Sequence, residues 1–280
     1  MTVHVHQDGL LELRFRAVGR GRTMIAGRRQ RFPLRTTAAT YPDDGDPGMP
    51  WVILQNPTGG IFPGDRLDVR IDLEAGARAH VRNQSATKIY AGDGDTARQN
   101  VAVALADGAV GEFLGDVLIP HAGSSLVQSL ALDVAPTARM IYAETLAAGR
   151  VAHGERFAFA RVRLETRISV AGVQASWDVL DLDPHRRHPA RRGLFGSATH
   201  LTTILAVCPG ADVEALAAAT DADLARSHGV GAAATPLPAG AGILVRALSC
   251  SAREARGVVA DAWTSLRPRL VGSLPPRRLI

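Results

Sequence analysis

The strongest constraint on the fold of this chain is a series of short apolar alternations within its first 200 residues. The two clearest alternations consist of Val101, Val103 and Leu105, and of Val162, Leu164, Thr166, Ile168 and Val170. A period of two places every second side chain on the same face of a β-strand. The pattern predicts a mainly β body, built as a sandwich, a barrel or a β-solenoid. The sequence has no fixed-period repeat, so periodicity alone does not select the solenoid.

Helix signals appear after residue 200. An apolar strand pattern at 201–207 precedes a helical run that begins after Asp212, a favourable N-cap residue. A second strand pattern at 242–248 leads to Ser251, which we predict to cap a second helix. Pro268 limits how far that helix can continue. The order of these signals predicts a small C-terminal β-α-β-α portion.

The change of pattern divides the chain into a β-rich body at 1–200 and an α/β portion at 201–280. We expect the second portion to pack on the first, so that both form one structural unit. The composition, with 46% hydrophobic and 21% charged residues, is that of an ordinary globular protein.

The net charge of +5 comes almost wholly from arginine, because Lys88 is the single lysine. The arginines lack the interleaved aromatic residues of a single-strand-binding surface, so we predict no nucleic-acid partner. Cys208 and Cys250 are far apart, which predicts two buried, reduced thiols. The N-terminus does not resemble a signal peptide, and no apolar run approaches the length of about 20 residues that crosses a bilayer. We therefore expect a cytoplasmic protein without membrane contact.

Two charged segments are predicted to be exposed loops. Residues 40–50 are acidic and rich in turn formers, and residues 183–193 are strongly basic. Such charge runs are typical of solvated loops, with an electrostatic docking patch as the alternative for the basic segment.

The chain lacks the motifs of the common catalytic sites. It has no phosphate-binding loop of the Gly-Lys-Ser/Thr type and no Gly-x-Ser-x-Gly elbow. Two histidine pairs, His4 with His6 and His185 with His188, are weak metal candidates, and prolines flank the second pair. No positive feature of the sequence therefore indicates a generic enzyme.

A glycine-rich segment at 59–65 lies between two strand patterns. It contains Gly59, Gly60, Gly64 and Asp65. Glycines allow positive φ and close backbone approach, and the aspartate can accept hydrogen bonds from amides of the turn. We expect this segment to be a structural corner of the β body.

Polar residues interrupt the apolar pattern further along. Glu144 lies in an apolar segment, where a buried carboxylate needs a cation or hydrogen-bond donors. One interpretation is an ion pair of Arg150 with Glu144 or with Glu155. The other is a polar interior path for a cation.

Four sequence blocks together resemble the urease accessory protein family UreD, also called UreH. The blocks are Gly59-Gly60-x-x-x-Gly64-Asp65, Gln84-x-Ala86-Thr87-Lys88-x-Tyr90, Leu118-Ile119-Pro120-x-x-Gly123-Ser124 followed by Gln128, and Glu144-x-x-x-x-Gly149-Arg150-x-x-x-Gly154-Glu155. The C-terminal segment Trp263-x-x-Leu266-Arg267-Pro268 is similar to the closing helix of that family. Each block is weak alone, and their order along the chain makes the set specific.

The resemblance implies a non-catalytic scaffold of urease maturation with a β-helix-like body. Members of this family bind the accessory protein UreF, which recruits the GTPase UreG, and the assembly, in which the scaffold can be dimeric, docks on apo-urease. The resemblance also implies transient nickel passage rather than a tightly bound cofactor, with Glu144 as the residue that touches the metal. A carboxylate with water holds nickel less tightly than histidine or thiolate, which suits a relay.

Two alternatives stay open. A β-solenoid enzyme acting on polysaccharide would need a groove lined by several carboxylates or arginines. A free-standing metal-binding module would use His4, His6, His185 and His188.

Overall fold

The computed structural model describes residues 6–19, 21–93, 95–227 and 231–276. Strands make up 49% of the described residues and helices 15%. The strands are β1 (Asp8–Val18), β2 (Arg22–Arg31), β3 (Arg35–Thr36), β4 (Trp51–Gln55), β5 (Gly60–Ile61), β6 (Arg66–Leu73), β7 (Arg78–Asn83), β8 (Thr87–Ile89), β9 (Ala97–Leu105), β10 (Val110–Pro120), β11 (Ser125–Val134), β12 (Arg139–Ala147), β13 (Arg161–Val170), β14 (Val173–Leu182), β15 (His200–Val207), β16 (Gly231–Pro236) and β17 (Gly242–Ser249). The helices are α1 (Val213–Ser227) and α2 (Ala252–Leu270), with short 3-10 turns at Val151–His153 and Pro238–Gly240.

The strands form two facing sheets. Within the described residues, one sheet has seven strands in the order β14-β13-β11-β9-β6-β1-β2. The other has ten: eight follow the order β16-β17-β15-β12-β10-β7-β4-β3, and the short strands β8 and β5 lie beside them, with β8 paired to β10 and β5 paired to β8. From β6 to β13 the longer strands alternate between the two sheets, and strands of successive turns pair in parallel. This arrangement is a β-solenoid of about four turns, which confirms the predicted fold class.

The alternating residues that predicted strands fill the solenoid interior. Val101, Val103 and Leu105 on β9, and Val162, Leu164 and Ile168 on β13, belong to one buried cluster between the sheets. A second cluster joins the outer face of the ten-stranded sheet to both helices and includes Ile141, Ile204, Val258 and Trp263. The ten-stranded sheet is therefore buried on both faces where the helices cover it.

The C-terminal portion extends the ten-stranded sheet, because β15 pairs antiparallel with β12 and β17 pairs with β15. The order of elements is β15-α1-β16-β17-α2, so the structure adds β16 to the predicted β-α-β-α pattern. Both predicted caps are present: Asp212 Oδ1 accepts from Ala215 N at 3.0 Å, and Ser251 Oγ accepts from Glu254 N at 3.2 Å. None of the described helices is long and apolar enough to cross a membrane.

The prediction of two exposed charged loops is correct for one of them. The four arginines of 183–193 are exposed. In the acidic segment, however, Asp43 and Met49 are buried, because Asp43 pairs with the buried Arg267 of α2. The prediction of two buried thiols is likewise correct for Cys208 and wrong for Cys250, which is exposed.

Candidate functional site

The four sequence blocks lie together at one corner of the solenoid. Gly60 on β5 pairs with Lys88 on β8, and Lys88 pairs with Ile119 on β10. Leu118, one residue earlier on β10, pairs with Leu146 on β12. Blocks that are far apart in sequence are therefore neighbours on successive turns. We call this region the motif corner; it consists of residues 59–65, 84–90, 118–124 and 144–155.

A stack of rings follows these strands on the motif corner. The rings of Phe62 and Tyr90 stack with centroids 4.6 Å apart, and His121 meets Tyr90 edge-on at 4.8 Å. The backbone keeps the same register, since Tyr90 N donates to Ile61 O and His121 N donates to Ile89 O, both at 2.9 Å. The stack fixes the spacing of three successive turns at this corner.

The tight approach of neighbouring turns explains Gly60. A Cβ at this position would lie 2.3 Å from Lys88 O and 2.7 Å from Tyr90 Cε2. Because the first of these atoms is backbone, any side chain would push the turns apart. The other motif glycines have positive φ, at +80° for Gly59, +78° for Gly64, +132° for Gly149 and +77° for Gly154.

Asp65 closes the same segment through backbone amides. Its Oδ2 accepts from Phe62 N and its Oδ1 accepts from Gln7 N, both at 2.9 Å, and the residue is 1% exposed. The bond within the segment confirms the expected turn chemistry. The bond to Gln7 also ties the segment to the start of the chain.

The charged pair of the fourth block is Arg150 with Glu155. Arg150 Nε donates to Glu155 Oε2 at 2.8 Å, and the amide of Ala122 donates to the same oxygen at 3.1 Å. The hydrogen bond from Arg150, with the amide bond and the nearby positive charge, lowers the pKa of Glu155 to about 2. Of the two pairings left open by the sequence, the structure therefore forms the one with Glu155.

Glu144 instead lies between the sheets. Its Oε2 accepts hydrogen bonds from Gln128 Nε2 on β11 of the opposite sheet and, at 3.1 Å, from Tyr142 Oη. Burial raises the pKa of Glu144, although both hydrogen bonds partly oppose the shift. Burial also raises the pKa of Tyr142, with the neighbouring carboxylate as a second cause. This carboxylate has hydrogen-bond donors but no cationic partner within the described residues.

Glu144 is the last of four polar side chains on interior faces, and we call the set the polar row. Its other members are Asn83 on β7, Gln99 on β9 and Gln128 on β11. Each occupies the same strand face as core residues two positions away, because side chains alternate along a strand. Gln99 and Gln128 are directly paired positions on adjacent strands.

The polar row contains unsatisfied acceptors. Asn83 Oδ1 and Gln99 Oε1 are buried and accept no hydrogen bond from the described residues. Both side chains line a cavity of about 60 Å³ that also reaches Gly59, Gly60 and Gln84 of the motif corner. One water needs roughly 10–15 Å³ of such a cavity, so this cavity has room for several waters. Two of the four members of the polar row, Asn83 and Gln99, are therefore accessible from the motif corner.

The row continues across the ten-stranded sheet to an ion pair. Glu144 is paired with Thr203 on β15, and Thr203 with Arg246 on β17. Arg246 Nη2 bonds to Asp178 Oδ2 on β14 of the opposite sheet. The guanidinium of Arg246, whose charge is paired with Asp178, therefore lies at the Glu144 end of the polar row.

Comparison with known proteins decides the family. A sequence model of the UreD urease accessory protein family matches residues 7–280. The chain belongs to the UreD family. The urease accessory protein UreD of Mycolicibacterium gilvum is 34% identical over 271 residues, covering 97% of this chain and 98% of that protein. UreD of Haloarcula marismortui is 32% identical over 270 residues, covering 96% of this chain and 89% of that protein. UreD 2 of Brucella suis is 30% identical over 262 residues, covering 92% of this chain and 87% of that protein.

The UreD resemblance carried by the four blocks is therefore confirmed. The fifth segment of that resemblance, on α2, contains a residue whose role the sequence did not reveal. Arg267 is 0% exposed, and its Nε donates to Glu112 Oε1 at 2.9 Å while its Nη2 bonds to Asp43 Oδ2. Trp263 Nε1 also donates to Glu112 Oε1 at 2.9 Å, and His80 Nδ1 lies 2.8 Å from Glu112 Oε2. An arginine on an otherwise apolar helix face was the signal that could have revealed this cluster.

The protonation states in this cluster follow from burial and hydrogen bonding. Burial lowers the pKa of His80, so the neutral ring donates to the carboxylate. Burial alone would raise the pKa of Glu112, but the bond to His80 and the charge of Arg267 bring it below its ordinary value. The UreD chain thus anchors α2 to the ten-stranded sheet through an ionised carboxylate.

The histidines predicted as weak metal candidates are dispersed. His6 Nε2 lies 3.4 Å from Asp95 Oδ2, and its Nδ1 lies 3.2 Å from Pro63 O. His185 is exposed, and His188 meets the ring of Phe157 edge-on at 5.8 Å. His4 lies outside the described residues. Among the described residues, no three His, Cys, Asp or Glu side chains form a group that could hold a metal ion.

Proposed function

We propose that this UreD family member is a non-catalytic scaffold of urease maturation whose interior passes nickel towards apo-urease. The observation that carries the proposal is the polar row. Among the described residues, two of its buried carbonyl oxygens have no hydrogen-bond donor and its carboxylate has no cationic partner. Acceptor oxygens in an apolar interior suit a cation or its water shell. Family membership supplies the link to urease.

The geometry suits transfer better than storage. Amide and carboxylate oxygens bind a divalent transition metal less strongly than imidazole or thiolate, so they release what they bind. Asn83 and Glu144 lie on β7 and β12, which are separated by β10 alone. Two strand spacings give a polar row about 10 Å long, short enough for a few successive ligand exchanges.

Glu144 would act as the ionisable member of the row. Its raised pKa means that arrival of a cation favours loss of the carboxyl proton. Gln128 and Tyr142 hold the carboxylate in place through its Oε2. Nickel is cargo in this proposal, and no tightly bound cofactor is required.

The remaining assignments follow the family. We propose a UreF-like partner, a UreG-like GTPase recruited through it, and apo-urease as the recipient, in the cytoplasm and without nucleic acid or membrane. A dimer within the accessory complex is part of the same proposal. Nothing in the described part of the chain favours a polysaccharide-acting enzyme or a free-standing metal-binding module over this function.

The test is Glu144→Gln, which keeps the shape of the side chain and removes its charge. The variant is co-produced with urease and the other accessory proteins under limiting nickel, in a host without its own urease genes. We expect urease activity and urease-bound nickel to fall roughly tenfold or more, as for other groups that orient metals, while the accessory complex elutes as for the native chain. The matched control is Glu12→Gln, because Glu12 lies on the outer face of β1. Native activation by the Glu144 variant would refute the proposed path.

A further inference from the structure

The ten-stranded sheet is interrupted beneath α2. Strand β10 pairs with β7 as far as Leu114 and with β8 from Leu118 onwards. Its pairing with β12 shifts between Leu114 and Val117, which marks a β-bulge. The bulge residues 114–117 and one face of α2 line a space between the sheet and the helix.

This space is a cavity of about 180 Å³, which we call the α2 groove. Its apolar walls are Trp51, Leu114, Val117, Val259 and Trp263. A cavity of about 150 Å³ with apolar walls holds a benzene ring. The α2 groove is therefore large enough for one aromatic or branched apolar side chain.

The polar groups of the α2 groove favour an acceptor. Trp51 is 5% exposed, and its buried Nε1 donor has no partner among the described residues. Arg82 forms no hydrogen bond or ion pair within the described part of the chain, and Arg256 makes a single long contact, at 3.9 Å, with Asp116. Two guanidiniums and an unpaired indole N–H thus face one carboxylate, so the rim of the groove carries a positive excess.

We propose that the α2 groove is a docking site for a partner polypeptide segment in which a carboxylate neighbours an apolar anchor side chain. The apolar side chain fills the space between Trp51, Trp263 and Val259. The carboxylate pairs with Arg82 or Arg256, and an acceptor of the segment takes the Trp51 Nε1 hydrogen. Buried aromatic pockets with arginine at their rim are typical of the energetic centres of protein interfaces.

The location links this site to the proposed function, on which the inference rests. Asn83 lines both the α2 groove and the cavity of the polar row, so β7 separates the two spaces at this residue. A segment bound in the groove would contact the first residue of the polar row. The partner is therefore one that takes part in metal delivery.

A photo-crosslinking experiment on the reconstituted complex tests the occupant. A benzophenone amino acid replaces Val259 in the groove, or Thr264, an exposed residue of the same helix outside the groove, as the control. We expect crosslinks at position 259 alone, to a segment of another maturation protein or of apo-urease that joins Asp or Glu to an apolar residue. A crosslink to a second copy of this chain, to a segment without a carboxylate, or equally at both positions would overturn the proposal.

Two substitutions test the energetics of docking. Ala260→Trp fills the groove, and Arg256→Glu reverses the charge of its exposed rim, with Thr264→Trp as the control. We expect at least a tenfold loss of partner affinity for the first two variants, an unchanged affinity for the control, and urea midpoints close to the native value. If both groove variants bind partners normally while Glu144→Gln still blocks activation, the groove assignment is wrong and the proposed path stands. If groove variants lose their partners while Glu144→Gln activates urease normally, the docking site stands and the path is wrong.

Discussion

Replacing Arg267 by methionine tests whether the buried charge cluster fixes helix α2. The substitution keeps an unbranched side chain and removes the guanidinium that pairs with Glu112 and Asp43. Both carboxylates are 1% exposed, so the variant leaves two buried charges without their cation. Breaking one buried ion pair costs about 3–5 kcal/mol, against a total stability of about 5–15 kcal/mol for most proteins.

We therefore expect Arg267→Met to lose about 3–5 kcal/mol of unfolding free energy. At roughly 2–4 °C per kcal/mol for a chain of this size, the Tm should fall by about 6–20 °C. Urea unfolding followed by tryptophan fluorescence is a direct assay, because Trp263 itself bonds to Glu112.

The matched control neutralises the stranded carboxylates. A triple variant, Arg267→Met with Glu112→Gln and Asp43→Asn, should recover at least half of the lost stability, because the unpaired charges are gone. A single Arg267→Met variant within about 1 kcal/mol of the native protein, the range of an exposed pair, would refute the reasoning.

Three further predictions concern the motif corner and the polar row. Gly60→Val should abolish soluble protein, because its Cβ would lie 2.3 Å from Lys88 O. Gly231→Val should express normally, because no atom of the described residues lies within 4 Å of a Cβ there, and equal soluble yields of the two variants would contradict this prediction. Glu155 has a pKa of about 2, so its contribution is present above about pH 4.5 and is lost as the pH falls towards 2. At pH 7 the urea midpoint of Glu155→Gln should therefore lie below that of the native protein, and the difference should be smaller at pH 3. The same difference at both pH values would count against the ion pair. Glu144 has a raised pKa, so native stability falls as the pH rises through that pKa. The urea midpoint of Glu144→Gln should therefore exceed that of the native protein at pH 8 and equal it below about pH 4. Identical pH profiles would show that burial does not penalise this carboxylate.

Local pattern was enough to predict the strands, the caps and the family. Alternation placed the apolar residues of β9 and β13 correctly, since burial on one face imposes a period of two. Asp212 and Ser251 were recognisable caps because their bonds span three residues. The solenoid itself was invisible as a repeat, because equivalent positions on successive turns, such as Gly60, Lys88 and Ile119, carry unlike side chains.

Long-range pairing was the part that the sequence could not supply. Asp43 and Arg267 are 224 positions apart, so the acidic run around Asp43 resembled an ordinary solvated loop. Gln99 lies outside the four blocks, and its place in the polar row depends on pairing with Gln128 across adjacent strands. The available signal for Gln99 was its position as an uncharged polar residue among alternating apolar residues.

The geometry of the polar row also limits how the length of such a row can change. Its first and last members lie on β7 and β12 of the ten-stranded sheet, with β10 between them. The distance between their oxygens therefore grows in steps of one strand spacing, about 4.8 Å. Point substitutions can change which oxygens face the interior, but they cannot alter that step. A longer passage would require insertion of a whole turn of about 30 residues, the separation between paired residues such as Gly60 and Lys88 or Lys88 and Ile119. Under the proposed function, the number of turns therefore sets the distance over which the chain passes a cation.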